Sequence, residues 1–514
     1  MTASLESPTR AARYERYAAL PQKILDGFVS FLGSWWFFSL ILLVFAVSSF
    51  LAAATSSLSI YDEFYHLRII ELYSQQWGIR LENSFATEGL GDVEYYGSFL
   101  YHYLMSFPYR VISSVFGGAY GLLIAVRVIG ITMVTGGLVI WRQALLRIYP
   151  SPRVINVAIA CVSGLPLLGW VAATINYDNQ LFLLVAAWGY AMIRLIQEDG
   201  LSVRWWLWML AWGLLASVTK YVFVPVFAVV TVWLVLRYLR SIWGQARGGV
   251  RQGLREANWK AILLPLALFI VGMVLVASRY VANLLRFGSP SPDCADVEST
   301  SYCLTYGPWA RNFKFAQNHD AWGSSFADAI NVFITQWLGA VSGTVTTVGV
   351  ASPGYGVQTF SGTLIARGVI FFAMIAILFC AIALGGVVKA RYRLPLFLAM
   401  LTHAVALFSL NYNDQLEYGV LLATSSRYFF PYLIPIVAIA FAGLSRGMDA
   451  CWGNSRWIKV VVLGIVVAAM TQGAWALTFL GGSTPTWIDP ASPIRELVER
   501  LQHWADRIII IGRE

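Results

Sequence analysis

Charged residues are scarce in this chain of 514 residues. Only 12% of the residues are Asp, Glu, Lys or Arg, whereas a soluble globular domain carries about 25%. Hydrophobic residues make up 58% of the sequence, and the mean hydropathy is +0.64. This composition favours an integral membrane protein over a large soluble protein with an unusually apolar core.

Motifs for nucleotide-driven and zinc-dependent chemistry are absent. The sequence contains no GxxxxGK[ST] loop, no serine nucleophile elbow and no HExxH site. The five cysteines are dispersed, with no CxxC pair that would indicate zinc. Cys294 and Cys303 share one polar loop, and we predict that they form a disulfide if that loop faces an oxidising compartment.

Eleven apolar segments are candidates for membrane-spanning helices. The first follows a polar stretch of about 30 residues and is too long for the apolar part of a cleavable signal peptide. The segments lie at about 34–54, 119–140, 155–174, 180–196, 205–219, 222–236, 261–278, 364–386, 394–410, 429–444 and 459–480. They predict an all-α polytopic fold without an internal repeat, which disfavours a secondary transporter.

Basic residues are unevenly divided between the two sides of the predicted bundle. If the N-terminus is cytoplasmic, the cytoplasmic segments hold 21 basic and seven acidic residues, and the other side holds 15 basic and 20 acidic residues. The positive-inside rule therefore predicts the N-terminus inside and the C-terminus outside. The net charge of +9 thus reflects topology, and a nucleic-acid partner is not expected.

This topology divides the chain into three parts. We predict a cytoplasmic segment 1–33, a transmembrane domain 34–480 and an outer amphipathic tail 481–514. Two large outer loops, 55–118 and 279–363, interrupt the transmembrane domain. The first has amphipathic stretches typical of helices on a membrane surface. The remaining local predictions are a mobile loop at Gly339 to Gly356 and an apolar tail face formed by Leu497, Leu501, Trp504 and Ile508.

Four ionisable side chains directly follow the first apolar segment. Asp62, Glu63, His66 and Arg68 lie within seven positions of one another. Because charge is costly near hydrocarbon, such a cluster indicates a functional site by default. The structural alternatives are that Asp62 caps a surface helix and that His66 is only hydrogen-bonded locally.

Further polar residues lie at the outer ends of other predicted spans. They are Asn176, Tyr177, Asp178, Lys220, Asn283, Arg286, Arg427 and Tyr428. Snorkelling charges would occur on both faces, so this convergence favours a pocket. Carboxylates suit removal of a hydroxyl proton, and the cations suit a phosphate leaving group. Alternatively, Asp178 and Lys220 pair with each other, and Arg427 only snorkels.

In this order, the motifs resemble the GT-C superfamily of integral-membrane glycosyltransferases, which use polyprenyl-phosphate sugars. The superfamily includes protein mannosyltransferases and the aminoarabinose transferase that acts on lipid A. The matching motifs are the Asp62-Glu63 pair, the Asn-x-Asp at 176–178, Thr219-Lys220 and the Arg-Tyr-x-x-Pro from Arg427. The Pro-Pro dipeptide usual in the first loop is missing, and Glu94-Tyr-Tyr-Gly-Ser stands there instead. The resemblance therefore implies nothing about the residues on the acceptor side of the pocket.

The resemblance implies a GT-C fold and a role for each matching residue. Asp62, with Glu63 beside it, corresponds to the catalytic acidic position, and Asp178 to a second acidic position. Lys220 and Arg427 match positions that hold the lipid phosphate, and Arg127 matches an Arg near the start of the second span. We add Tyr428 and Arg286 to the phosphate-binding residues and predict substrate contacts for His66, Arg68, Asn176, Tyr177 and Asn283.

The sequence therefore predicts an inverting glycosyltransferase in a bacterial inner membrane, with its site facing outward. The donor would be a polyprenyl-phosphate-linked sugar, and membrane lipid surrounds the protein. The acceptor would be a hydroxyl of a surface glycan, or alternatively of a protein. A metal is not required with two cations present, although a divalent cation is compatible with the site. The competing hypotheses are a transporter and a glycan polymerase or ligase that uses Arg279, Arg286, Arg311 and Lys314.

Overall fold

The computed structural model describes residues 23–508, except 83, 117–118, 249–258, 319–324, 353–355, 361–363, 453–455 and 472–486. Within these residues the chain is a bundle of α-helices with one β-hairpin. The helices up to the second outer loop are α1 (Trp35–Ala53), α2 (Glu63–Ser74), α3 (Leu100–Val115), α4 (Ala119–Ile148), α5 (Pro152–Ser163), α6 (Pro166–Ala172), α7 (Tyr177–Gln197), α8 (Val203–Thr219), α9 (Phe223–Gly248) and α10 (Trp259–Phe287). The later helices are α11 (Gly307–Gln317), α12 (326–343), α13 (Leu364–Ala383), α14 (Ala390–Tyr418), α15 (Phe430–Trp452), α16 (Arg456–Thr471) and α17 (Arg495–Ile508).

All eleven predicted spans contain helix, and the chain is a multi-pass membrane protein. In the described residues, six helices are long and apolar enough to cross a bilayer: α1, α4, α7, α10, α14 and α15 with its preceding turn. The pair α5 and α6, bent by 74°, makes a seventh candidate. Three further apolar helices are shorter, and residues 472–480 of the last predicted span lie outside the described residues. The predicted count of eleven is therefore not established.

The bend between α5 and α6 lies at the Gly164-Leu165-Pro166 sequence. Pro166 has no amide hydrogen for a helical bond, and a proline disfavours helical backbone at the residue before it. Leu165 accordingly has an extended conformation, with φ −65° and ψ 128°. The chain therefore changes direction here and delivers α7 to the end of the bundle that holds Asp62.

The centre of the bundle is formed where α4, α7 and α8 pack against one another. Trp141 on α4 and Trp188 on α7 are completely buried. Gly189 allows the close approach, since a Cβ atom there would lie 2.6 Å from the Trp141 ring. Small residues at helix crossings in membranes permit such contacts.

The first outer loop contains two of the predicted surface helices, α2 and α3, which pack against each other. Arg110 on α3 holds the end of α2, because its guanidinium donates hydrogen bonds to the carbonyl oxygens of Ser74 and Tyr73 at 2.6 and 2.7 Å. The same guanidinium lies 4.1 Å from the centre of the Trp77 ring. A cation at the C-terminal end of a helix complements the unpaired carbonyls there.

The predicted mobile loop from Gly339 to Gly356 was wrong. The chain is helical up to Gly343 and then forms an antiparallel hairpin with strands β1 (Val348–Ser352) and β2 (Gly356–Phe360). The amide of Ile60 donates to the carbonyl oxygen of Gly349 at 3.3 Å. The hairpin thereby holds the segment that leads into Asp62.

The C-terminal region braces the same segment from the other side. The amide of Ser57 donates to the carbonyl oxygen of Trp487 at 3.0 Å. On helix α17, Val498 is completely buried and Leu497 is 50% exposed. Leu501 packs against the core as predicted, Val498 is buried in place of Leu497, and the side chains of Trp504 and Ile508 lie outside the described residues.

Candidate functional site

Asp62 lies at the N-terminal end of α2 in a left-handed backbone conformation, with φ +63°. This region is uncommon for residues other than glycine, and such strain often marks a functional site. The Asp62 side chain makes no capping hydrogen bond to α2. Its Oδ2 atom instead accepts a hydrogen bond from Arg427 at 3.1 Å, and 48% of the side chain is exposed. The helix-cap alternative is therefore wrong.

Arg427 connects Asp62 to a buried carboxylate, Asp178. Its Nε atom lies 3.4 Å from Asp178 Oδ2, and the other carboxylate oxygen of Asp178 accepts a hydrogen bond from Lys220 Nζ. Asp178, Lys220 and Arg427 are all buried. The structure thus brings together four of the predicted residues, and a snorkelling role for Arg427 is excluded. The pairing of Asp178 with Lys220 is observed. We call Asp62, Arg427, Asp178 and Lys220 the charged array.

Aromatic rings enclose the two cations of the array. The rings of Tyr177 and Tyr428 have their centres 4.4 and 4.1 Å from Lys220 Nζ. The ring of Tyr61 is 4.9 Å from the central carbon of the Arg427 guanidinium. Cations over aromatic faces are stabilised by the ring quadrupole, and more so when they are desolvated. Tyr177 and Tyr428 therefore belong to the site as predicted, and Tyr61 was not predicted.

Asn176 positions Asp178 from a buried location. Its Oδ1 atom accepts the amide hydrogen of Asp178 at 2.9 Å, which caps the N-terminus of α7. Its Nδ2 atom donates to the carbonyl oxygen of Tyr61 at 3.0 Å. Both polar atoms of the Asn176 side chain are thus hydrogen-bonded within the protein. The structure therefore gives Asn176 a role in positioning Asp178 in place of the predicted substrate contact.

Glu63 is adjacent to Asp62 but has no exposed surface. Its two carboxylate oxygens accept hydrogen bonds from Arg127 Nε and Nη2, both at 2.8 Å, and from the amides of Ser59 and Ile175 at 2.7 and 2.8 Å. All of these donors belong to the protein, so both oxygens of this buried carboxylate are engaged within the fold. The geometry therefore gives no support to the predicted catalytic role of Glu63.

Arg127 extends this ion pair into a structural clamp. Its guanidinium also donates to the carbonyl oxygens of Ala53, Ser56 and Ser57 at 2.8 to 3.0 Å. The clamp ties the end of α1 to the start of α2. It also holds Ile175, the residue before Asn176, through the Glu63 carboxylate. It fixes the backbone on both sides of Asp62.

His66 pairs with His102, which was not predicted. His66 Nδ1 lies 2.8 Å from His102 Nε2, and both residues are buried. Burial lowers the pKa of both imidazoles well below the usual value, and the charges of Arg427 and Lys220 lower the pKa of His66 further. The His66 ring meets the Tyr177 ring edge-on, with 4.6 Å between centres. The histidine pair therefore packs against Tyr177, one of the aromatic residues beside the array. The observed contacts of His66 are local contacts within the protein.

Three predicted residues are engaged outside the array. Arg68 forms a half-exposed ion pair with Glu71 at 2.8 Å. Asn283 donates to the carbonyl oxygens of Tyr95 and Pro290 at 2.8 and 3.3 Å. Arg286 is exposed, and its guanidinium lies against the rings of Tyr95 and Phe287. The structure does not bring these three side chains to the array, so the phosphate contact of Arg286 and the substrate contacts of Arg68 and Asn283 stay predictions.

A cavity of about 630 Å³ lies beside the turn that holds Arg427. Phe429, two residues after Arg427, and Leu433 form part of its wall. The rest of the lining, contributed by α9, α12, α13, α14, α15 and α16, is almost entirely apolar and includes Trp233, Trp337, Phe371, Met374, Ile377, Phe397, Met400, Leu401, Ala404 and Met470. Sequence reasoning did not find this cavity, because apolar residues on a membrane helix are expected whether they face lipid, core or cavity.

A disulfide joins Cys294 to Cys303 in the second outer loop. The residues that follow rest on the first outer loop beside α2. The ring of Tyr306 lies 5.3 Å from the ring of Tyr65 and covers Gly91, where a Cβ atom would lie 2.7 Å from it. Gly91 also has a φ of +71°. This contact brings the second outer loop to the side of the site where Asp62 is exposed.

The charges of the array are neutralised by side chains of the chain itself. Lys220 and Arg427 neutralise Asp178, and Arg427 also pairs with Asp62. Among the residues that the structure describes, no three His, Cys, Asp or Glu side chains come together as a metal site. Arranged in this way, the array can bind an anion at its cations and leave the half-exposed Asp62 carboxylate to accept a proton.

Comparisons with known proteins give distant likenesses. No family model and no curated protein matches the sequence. The crystal structure of ArnT from Cupriavidus metallidurans in the apo state is 15% identical, with a TM-score of 0.45, and the match covers 91% of this chain and 68% of that chain. The structure of the same ArnT bound to undecaprenyl phosphate gives 15% identity and a TM-score of 0.44.

The archaeal oligosaccharyltransferase AglB from Archaeoglobus fulgidus, in complex with an inhibitory peptide and a dolichol-phosphate, is 13% identical, with a TM-score of 0.44. That match covers 93% of this chain, which spans 60% of the AglB chain. At these identities and scores, the likenesses assign neither a substrate nor a role for any residue.

Proposed function

We propose that the protein is an inverting glycosyltransferase that moves one sugar from a polyprenyl-phosphate carrier to a hydroxyl acceptor. One observation carries this proposal: the half-exposed carboxylate of Asp62 pairs with the buried Arg427, which Asp178 links to Lys220, and the turn that holds Arg427 also contributes Phe429 to the wall of an apolar cavity. A donor that joins a long hydrocarbon chain to an anionic phosphate matches the cavity and the cations together.

The donor side is formed by Lys220, Arg427 and the apolar cavity. The apolar lining of the cavity of about 630 Å³ suits the hydrocarbon tail of the carrier, which makes van der Waals contacts there in place of those with membrane lipid. The phosphate then lies where the cavity meets the cations, because Arg427 and the cavity-lining Phe429 belong to the same helical turn. The two cations stabilise the negative charge that accumulates on the phosphate when the sugar leaves.

The acceptor side is the exposed face of Asp62. Its carboxylate removes the hydroxyl proton while the acceptor oxygen attacks C1 of the sugar from the face opposite the phosphate. The new bond forms between the acceptor oxygen and C1, and the bond between C1 and the phosphate oxygen breaks with its electron pair going to the phosphate. Configuration at C1 is therefore inverted. Asp178 holds both cations in place.

The acceptor class and the location extend the proposal. We assign a hydroxyl of a surface glycan as the acceptor and a protein hydroxyl as the second candidate. The charge distribution supports a bacterial inner membrane with the site facing outward. The step described above uses no metal ion.

Two competing functions fit the structure less well. A transporter is expected to place its charges near the bilayer midplane, whereas the array forms where α7 and the turn before α15 begin and α8 ends. A polymerase or ligase would need free arginines in the second outer loop. Arg279 is buried and bonded to the carbonyl oxygens of Glu94 and Ile79, so it does not fit that role, whereas Arg286 and Arg311 are exposed.

The test measures transfer from radiolabelled polyprenyl-phosphate sugars to membrane acceptors by the purified, reconstituted protein. Asp62→Asn is expected to abolish transfer while leaving the thermal unfolding temperature unchanged. Asp199→Asn is the matched control, because Asp199 also has a positive φ, is exposed and pairs with an arginine, Arg391. Wild-type turnover by Asp62→Asn would show that Asp62 is not the base, and transfer of none of the sugars would contradict the proposal itself.

A further inference from the structure

His403 is a buried histidine that the reaction described above does not use. It lies on α14, has no exposed surface, and neither of its ring nitrogens has a hydrogen-bond partner within the described residues. The hydroxyl of Tyr432 on α15 is also buried and unpartnered there, and the two rings lie 4.8 Å apart. Two facing side chains thus bury three unpaired polar atoms.

Unpaired polar atoms of this kind are uncommon inside proteins. Buried side-chain donors and acceptors nearly always have a partner, and those that lack one often mark a place where a ligand or water binds. The requirement is stronger in a membrane, where no surrounding water compensates for an unmade hydrogen bond. The His403 and Tyr432 pair therefore points to a polar ligand group.

The position of the pair identifies the kind of ligand. His403 faces Tyr432, which lies one helical turn after Tyr428, the tyrosine whose ring centre is 4.1 Å from Lys220 Nζ. Its ring also meets the ring of Phe429 edge-on at 5.3 Å, and Phe429 lines the apolar cavity. Met400 and Ala404, one turn to either side of His403 on α14, line the same cavity. His403 thus lies next to the cavity wall and contacts Phe429, two residues after Arg427.

We propose that His403 and Tyr432 donate hydrogen bonds to the phosphate of the lipid carrier. This inference rests on the proposed function, because the phosphate of a polyprenyl carrier must lie where the apolar cavity meets Lys220 and Arg427. A neutral imidazole offers one N–H group, and the phenol offers one O–H group. Both are donors to phosphate oxygens, and both bonds strengthen as the departing phosphate gains charge. No proton is transferred in this arrangement.

The experiment compares the binding of undecaprenyl phosphate and undecaprenol to the purified full-length protein in detergent. The two probes share one tail and differ only in the phosphate. Wild-type protein is expected to prefer the phosphate, and His403→Phe is expected to weaken phosphate binding about ten- to hundredfold, since a hydrogen bond to a charged group is lost. The affinity for undecaprenol is expected to change less than about twofold in His403→Phe, because the cavity is retained.

Companion variants separate this role from a packing role. His403→Gln keeps a donor and is expected to restore part of the phosphate preference, and Tyr432→Phe removes only the hydroxyl. Tyr238→Phe is the matched control for Tyr432→Phe, because the Tyr238 hydroxyl is also buried and unpartnered among the described residues. Tyr238 packs against Gly200 in the turn between α7 and α8, at the opposite end of α7 from Asp178.

The outcomes discriminate between this inference and the proposed function. A wild-type protein that binds both probes equally would contradict the proposed donor. A wild-type protein that prefers the phosphate, with the preference undiminished in His403→Phe and Tyr432→Phe, would overturn the inference alone. If His403→Phe does not fold, Tyr432→Phe decides. Equal binding of phosphatidylglycerol and undecaprenyl phosphate would assign the pair to phospholipid headgroups and would likewise overturn it.

Discussion

The guanidinium of Arg427 donates a hydrogen bond to the carboxylate of Asp62 at 3.1 Å, although 365 residues separate them in the chain. Asp62 belongs to the first outer loop, and Arg427 lies in the turn before α15. The bond joins the base of the proposed reaction to a cation that holds the donor. Binding of an anionic donor must therefore compete with Asp62 for Arg427, which leaves the Asp62 carboxylate freer to accept a proton.

Replacing Arg427 by lysine tests this bridging geometry. Lysine retains the charge but cannot reach Asp62 and Asp178 together, because it lacks the planar fork of donors. We expect Arg427→Lys to lower kcat about hundredfold and to change KM for the donor less than tenfold. The measurement is the initial rate of sugar transfer over a range of donor concentrations. A variant with wild-type kcat would show that bridging is not required.

Disruption of the Glu63–Arg127 pair is expected to affect stability more than chemistry. Both side chains are completely buried, and removal of one partner leaves an uncompensated buried charge, which costs about 3–5 kcal/mol. Arg127→Met should therefore lower the thermal unfolding temperature by several degrees. Asp62→Asn, one residue from Glu63, should leave it unchanged. If the Arg127→Met variant unfolds at the wild-type temperature, the clamp does not stabilise the fold as proposed.

Acidification is expected to destabilise the fold through His66 and His102. Their pKa values in the folded protein lie well below 6.5, so the unfolded chain binds more protons as the pH falls below about 6.5. The contribution of the two neutral histidines to the free energy of unfolding is therefore at its full value above about pH 6.5 and decreases at lower pH. Thermal unfolding between pH 5 and 8 measures how steeply the unfolding temperature falls with decreasing pH. The double variant His66→Gln and His102→Gln should make this dependence on pH weaker. An unchanged dependence of the unfolding temperature on pH would contradict the conclusion that His66 and His102 are neutral in the folded protein.

Filling the apolar cavity should weaken binding of a long-chain donor selectively. Ala404 lines the cavity, and the next residue on the same helix, Val405, is 57% exposed on the other side. Ala404→Phe is expected to raise KM for a donor with a full-length polyprenyl chain about tenfold, because less hydrocarbon can be buried. A donor with a short chain should be affected less. Val405→Phe is the control, and equal effects of the two variants would argue against tail binding in the cavity.

Sequence patterns were sufficient for the helical fold and for most of the charged array. Long apolar runs predict spanning helices because each backbone group must be paired inside the bilayer. Charge near such runs is costly, so Asp62, Asp178, Lys220 and Arg427 were recognisable as a set, and the structure brings all four together. The stretch from Gly339 to Gly356 was predicted as a mobile loop because it is rich in Gly and Thr, whereas its strand pairs with a neighbouring strand and is also held by Ser59 and Ile60, which are far away in the sequence.

The adjacent residues Asp62 and Glu63 show what only the tertiary structure decided. Both are carboxylates at the same membrane boundary, and the sequence alone predicted a catalytic role for each. Asp62 precedes α2 in a left-handed backbone conformation and Glu63 is the first residue of the helix, so Glu63 enters the interior against Arg127, and Asp62 meets Arg427 and remains half exposed. The amino-acid sequence determined the spans and the boundary at which charge collects. The fold determined which carboxylate is saturated by buried donors and which stays half exposed, because that depends on partners from α4 and from the turn before α15.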